Sequence, residues 1–169
     1  MIALPTQTIA CNCGEVALGA RGEPIVSTVC RCSSCEKAGS LLERLPLSTP
    51  VLKADGGTHF VLFRKDRVFC LKGERLLAEH RLRPESPTRR VVATCCNTAM
   101  FLDFTKGHWL SVYRKRVPMA DELLARKAGY FFPRLIWAWG AMGFTIPRID
   151  YVTRRLPDIW DAAKRDRRR

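Results

Sequence analysis

Cys30-Arg31-Cys32-Ser33-Ser34-Cys35 puts three thiols into six residues, in C-x-C-x-x-C spacing. A core in need of small apolar side chains would use Ala or Val, so these residues are present as thiols. Thiolates at this spacing can turn onto one metal ion, and zinc suits sulfur ligands best. Working outward, Cys11-Asn12-Cys13-Gly14 lies upstream and the adjacent pair Cys95-Cys96 lies downstream, while Cys70 stands alone. Two pairs distant in sequence, each on a turn, make a four-thiolate zinc site of the structural kind, with Gly14 admitting a tight turn beside sulfur. The middle triplet supplies three ligands. Either its fourth position stays open, as in catalytic zinc sites, or another thiolate, Cys95 foremost, closes it.

The rest of the composition fits a metal reading of the cysteines. A chain of 169 residues, 47% hydrophobic, is long enough to bury a core as one domain with an appendage. Met1-Ile2-Ala3-Leu4-Pro5 lacks the basic start and long apolar run of an export signal, so a cytoplasmic location is expected. There disulfides are disfavoured and clustered cysteines serve as ligands. The 29 basic residues against 16 acidic ones give a net charge of +13, which favours anionic partners without choosing among them. Basic residues scattered along the chain, with no histidine-containing finger spacing, weigh against nucleic acid.

Through residue 117 the pattern is that of short strands separated by turns, an antiparallel β module. Strands are expected at Glu15–Ala20, Ile25–Val29 and Thr58–Phe63, with Arg67–Leu71 as the hairpin partner of the last. Arg75–Leu82, Arg89–Thr94, Met100–Phe104 and Trp109–Tyr113 follow, and the prolines of Arg83–Thr88 mark a loop. Residues 118–169 differ in character. Asp121–Gly129 has an acidic start, a basic finish and a terminal Gly, and a second helix is expected after Pro157. Between them lies an apolar, Trp-rich stretch whose uninterrupted part, Leu135–Ile146, is too short to span a bilayer.

The order of motifs resembles a known family. C-x-C-G, then C-x-C-x-x-C, then a distant cysteine pair, over roughly Ile9–Tyr113, is similar to the glutathione-dependent formaldehyde-activating (Gfa-like) enzymes. The resemblance implies a tent-like, mainly β fold of several coiled antiparallel sheets around zinc. It implies a structural zinc on Cys11, Cys13 and Cys96, and a catalytic zinc on Cys30, Cys32 and Cys35. The implied activity is that of a carbon–sulfur lyase joining a small thiol, glutathione in the family, to formaldehyde, or splitting that thiol–aldehyde adduct. The family's last pair is C-x-x-C-G. Here Cys96-Asn97-Thr98-Ala99 matches its second half, and the first cysteine's place falls on Ala93. Cys95 is then a displaced ligand, a ligand of the other zinc, or no ligand. Adjacent residues of a regular strand point to opposite faces, so Cys95 and Cys96 can share one ion only on a bend.

Other residues admit two readings each. Arg31 and Lys37 flank the triplet as solvated charges or as receivers of a substrate carboxylate. His59 is a strand residue or a general acid–base near the site. Cys70 reads as a small buried hydrophobe, and Ser33 and Ser34 as hydrogen-bond donors shaping the triplet's turn. Trp137, Trp139, Trp160 and the final arginines could cover a sheet, form a dimer contact or meet an acidic membrane surface. The competing function is a non-catalytic zinc module that binds protein, nucleic acid or acidic membrane through this basic C-terminal segment.

Overall fold

The computed structural model describes residues 5–119, 121 and 130–156. The described part is mainly β, with ten strands and two α-helices. Strands β1 (Thr6–Ala10), β2 (Ala17–Arg21) and β5 (Val68–Lys72) form a three-stranded antiparallel sheet in the order β1-β2-β5. A seven-stranded sheet has the order β10-β6-β7-β8-β9-β4-β3. It is built from β3 (Val26–Cys30), β4 (Thr58–Arg64), β6 (Leu77–His80), β7 (Thr88–Ala93), β8 (Thr98–Phe104), β9 (Trp109–Tyr113) and β10 (Arg154–Arg155). Its pairs are antiparallel except β10 on β6, which is parallel.

The large sheet is buried on both faces, and side-chain alternation sorts its residues between two cores. On one face Val61, Phe63, Val91, Phe101 and Val112 meet Ile9, Leu18, Ala20 and Val68 of the small sheet. On the other, Phe60, Leu62, Val92, Ala99 and Tyr113 meet two helices, α1 (Ser33–Leu42) and α2 (Phe131–Gly140). The central strands therefore read as apolar runs rather than as alternating ones.

Three expectations change. Val68–Lys72 is a strand, but it pairs with β2 and not with β4, whose neighbours are β3 and β9. The short 3-10 turn Lys65–Arg67 carries the chain from one sheet to the other instead of closing a hairpin. The triplet opens a ten-residue helix, α1, inside a stretch that the strand pattern left unassigned. Finally, α2 begins at Phe131 and takes in Pro133, since a proline in the first helical turn removes an N–H that has no partner in any case. The helices expected at Asp121–Gly129, of which Asp121 alone is described, and after Pro157 lie outside the described residues, as do Trp160 and the final arginines. No described helix is long and apolar enough to cross a membrane.

Candidate metal centre

Two separate sulfur clusters emerge from this fold. Cys11, Cys13, Cys95 and Cys96 bring their sulfurs within 4.8 Å of one another, and Cys30, Cys32 and Cys35 do the same elsewhere. All eight cysteines are free thiols. Two sulfurs bound at about 2.3 Å to one tetrahedral ion stand about 3.8 Å apart. The Sγ–Sγ separations are 3.5 Å for Cys11–Cys13, 3.8 Å for Cys11–Cys95, 3.3 Å for Cys13–Cys95 and 3.9 Å for Cys95–Cys96. In the triplet, Cys30 and Cys32 stand 3.4 Å apart. Soft donors at these separations fit a zinc-like ion at each cluster.

The four-sulfur cluster is assembled by two turns. After β1 the chain reverses through Cys11–Gly14, where Gly14 takes φ +79° and donates to the Cys11 carbonyl oxygen at 3.1 Å. A side chain disfavours that left-handed conformation. Cys95 and Cys96 occupy the turn Thr94–Asn97 between β7 and β8, with Asn97 also at positive φ. Off the ladder, the two neighbours no longer alternate, and both sulfurs reach the same point. Cys95 thus falls beside Cys11 and Cys13 and leaves the triplet without a fourth thiol among the described residues. Thr98 supports the cluster: its Oγ1 lies 2.9 Å from Cys96 Sγ and accepts from the Asn12 N–H at 3.2 Å. Arg116 reaches the Ala10 carbonyl and the Asn12 side-chain oxygen alongside.

The triplet is built at the junction of β3 and α1. Cys30 ends β3 opposite Thr58, Cys32 is the N-cap of α1, and Cys35 lies in its first turn, buried. Helix geometry folds Cys35 back toward Cys32, whose carbonyl accepts from the Cys35 and Glu36 N–H groups. The three sulfurs form a ramp from Cys35 in the core to Cys32, which is exposed. Neither serine hydroxyl has a hydrogen bond to the triplet among the described residues. The backbone N–H groups of Ser34 and Cys35, at the start of α1, take that role toward Cys32.

Local electrostatics make the thiols unequal. Burial opposes ionisation of Cys32, yet the Cys35 N–H, the Cys30 and Cys35 thiols and the Ser34 N–H together hold it below its ordinary value. Burial, then the neighbouring Cys30 and Cys32 sulfurs, pushes Cys35 up. In the other cluster burial and the flanking thiols raise Cys95. Cys96 is also desolvated, but the Thr98 hydroxyl and adjacent backbone N–H groups bring it down to about 6. Each cluster therefore contains one thiol ready to lose its proton first.

An open cleft of about 550 Å³ adjoins the triplet through Ser33 and Ser34 and is lined also by Lys37, Arg83, Glu85 and Ser86, the three cysteines themselves lying outside its lining. Arg31 is engaged with Asp55 at 2.6 Å on the surface. His59 bonds Ser27 Oγ at 2.9 Å through Nε2. It pairs with Val29 while Cys30 pairs with Thr58, so alternation sends its ring to the opposite face of the sheet from the triplet. Cys70, half-buried on β5, belongs to neither cluster. The sequence singles out neither Arg90 nor Arg116, and it offers Thr98 only as part of the Cys96-Asn97-Thr98-Ala99 match. Only Thr98, two residues past Cys96, stands close enough along the chain to have been found by proximity.

Residues 6–50 match the family model described as glutathione-dependent formaldehyde-activating enzyme. The matched span contains Cys11, Cys13 and the whole triplet, together with β1, β2, β3 and α1. No curated protein matches the chain. With two of the three cysteine motifs inside the matched span and the Cys95-Cys96 pair outside it, the comparison supports membership of this chain in the Gfa-like superfamily.

Proposed function

We propose that this is a two-site zinc protein. In this reading Cys11, Cys13, Cys95 and Cys96 hold a structural ion. Cys30, Cys32 and Cys35 hold a second, at which a small thiol is joined to an aldehyde carbon or released from it. The observation that carries the reading is the inequality of the clusters: four sulfurs gather at one, and three at the other beside an open cleft. The tent-like arrangement of sheets around zinc that the family resemblance implies belongs to the same proposal.

Zinc held by Cys30, Cys32 and Cys35 would supply a Lewis acid that favours an incoming thiol as thiolate. The chain's own residues do the remaining work. Cys35 anchors the site in the core, and exposed Cys32 leaves the outer side accessible. Lys37 and Arg83 on the cleft wall offer positive charge to a carboxylate-bearing thiol such as glutathione. In the forward direction a sulfur–carbon bond forms as the carbonyl π bond opens, and the thiol proton ends on the former carbonyl oxygen. The reverse direction breaks that same bond.

The test combines metal analysis with adduct formation. Glutathione and ¹³C-formaldehyde are followed by NMR exchange with the zinc-loaded protein, with Cys32→Ser, and with metal-stripped protein that remains folded. Two zincs per chain, and loss of catalysed exchange in Cys32→Ser with one zinc retained, are expected. Unchanged exchange in folded, metal-stripped protein overturns the lyase reading. One tightly held zinc with no catalysed exchange favours the non-catalytic module, the reading that the exposed apolar face of α2 also suits.

A further inference from the structure

Helix α2 is apolar on its outer face as well as on its inner one, which a surface helix ordinarily is not. Its inner face is held to the large sheet by Leu135 and Ala138, which are buried, and by His108 Nε2 donating to the Leu135 carbonyl oxygen at 2.9 Å. Its outer face and the turn after it expose Tyr130 (78%), Phe132 (73%), Ile136 (62%), Trp137 (76%), Phe144 (63%) and Ile146 (44%). Phe132 and Ile136 fall one helical turn apart, and the exposed Trp137 follows Ile136 directly, so three large apolar side chains are exposed within six residues of one short helix. Between Tyr130 and Ile149 the only charged residues are Arg134 and Arg148.

We propose that this exposed apolar face docks on the surface of an anionic lipid bilayer, with α2 lying in the plane of the headgroups. Three observations choose this occupant. The net charge of +13 is complementary to acidic lipid and opposes a second copy of the same chain. A ten-residue helix is about 15 Å long, and one face of it falls well short of the roughly 800 Å² per partner that a stable protein interface buries. Trp137 and Tyr130 carry polar N–H and O–H groups on aromatic bodies, the chemistry that settles at the boundary between headgroups and acyl chains. The apolar side chains enter the boundary while the basic surface contributes attraction that salt can screen.

Co-sedimentation with lipid vesicles tests this. The zinc-loaded full chain is mixed with vesicles of phosphatidylcholine containing about one-third phosphatidylserine, and with phosphatidylcholine alone. Binding to the acidic vesicles with a blue shift of tryptophan emission is expected, falling as salt rises from about 0.1 to 0.5 M. The double variant Ile136→Ser/Trp137→Ser, which alters exposed positions only, should bind about tenfold or more weaker at unchanged zinc content. The proposal is overturned by failure to bind acidic vesicles, by equal binding to neutral ones, or by undiminished binding of the double variant. A wild-type dimer in sedimentation equilibrium that becomes monomeric in the double variant also overturns it, in favour of a second copy.

Discussion

At the scale of single residues, Arg90 poses the sharpest energetic question. It is 2% exposed, and one terminal nitrogen donates to the Ser34 carbonyl at 3.1 Å while the other has no hydrogen-bond partner. No carboxylate lies within ion-pair distance of it among the described residues. A guanidinium does not give up its proton, and an unpaired buried charge costs several kcal/mol. The nearby source of negative charge is the triplet, since Ser34 sits between Cys32 and Cys35 and the buried Tyr113 feels both Arg90 and Cys35. In the proposed metal-bound state, three thiolates around one divalent ion would keep a net negative charge for Arg90 to balance. Replacing Arg90 with Met should weaken metal at the triplet about 10- to 100-fold and leave the four-cysteine site unaffected. Chelator competition against each site in turn measures this.

At the scale of elements, the seat of α2 depends on protonation. The His108 ring stacks on Trp139 (centroids 5.7 Å apart, planes 9° off parallel) and meets Trp109 edge-on at 5.0 Å. Burial, with Lys65 and Arg64 nearby, holds its pKa below the ordinary 6.5, although the Leu135 carbonyl pulls the other way. A depressed histidine pKa means that the fold prefers the neutral ring. Its contribution is complete above the ordinary value and is lost as pH falls through that value toward the folded-state one. NMR titration should give His108 an apparent pKa under 6.5. His108→Phe should keep the stacking, cost about 1–2 kcal/mol through the orphaned Leu135 carbonyl, and flatten the stability–pH curve over that window. This contact also shows why α2 was only half legible in sequence. Its apolar residues announced an unusual segment, but the histidine that receives it lies 27 positions upstream. Helix α1 was hidden for a different reason. Its cap position is taken by Cys32 in place of the usual Ser, Thr, Asp or Asn, and Gly39 in its middle makes room for Leu52. The thiols themselves were legible because no packing role asks for their spacing. That Cys95 joins Cys11 and Cys13 required the turn geometry, which the residue order does not encode locally.

At the scale of the whole molecule, a buried ionic network holds the C-terminal return against the sheet. Arg89 on β7 meets Asp103 on β8 at 2.7 Å and Glu79 on β6 at 2.9 Å, and Lys65 closes on Asp103 at 2.7 Å. The same guanidinium donates to the carbonyls of Ile149 and Val152, just before β10 pairs with β6. Arg89→Met removes the shared cation, leaving Asp103 with Lys65 alone, Glu79 with the half-buried Arg81 alone, and the Ile149 and Val152 carbonyls without their donor. A loss of about 3–5 kcal/mol is expected in chemical denaturation, with β10 the first segment to lose amide protection. The strand pattern located β6, β7 and β8 in sequence. It could not distinguish β4's true neighbours from β5, because period-two alternation is the same on every edge and long-range pairing leaves no local mark.

The two sulfur clusters differ in how much of the chain each must gather. The triplet is complete within six consecutive residues, whereas the other cluster joins Cys11 to Cys95 across 84 positions. During synthesis the first can capture an ion as soon as β3 and α1 emerge, at little cost in chain entropy. The second must wait until the ribosome has delivered the β7–β8 turn. On the two-site reading proposed above, topology orders metal uptake in time: the triplet's ion is seated first and the four-cysteine ion last, when the small sheet is locked onto the large one.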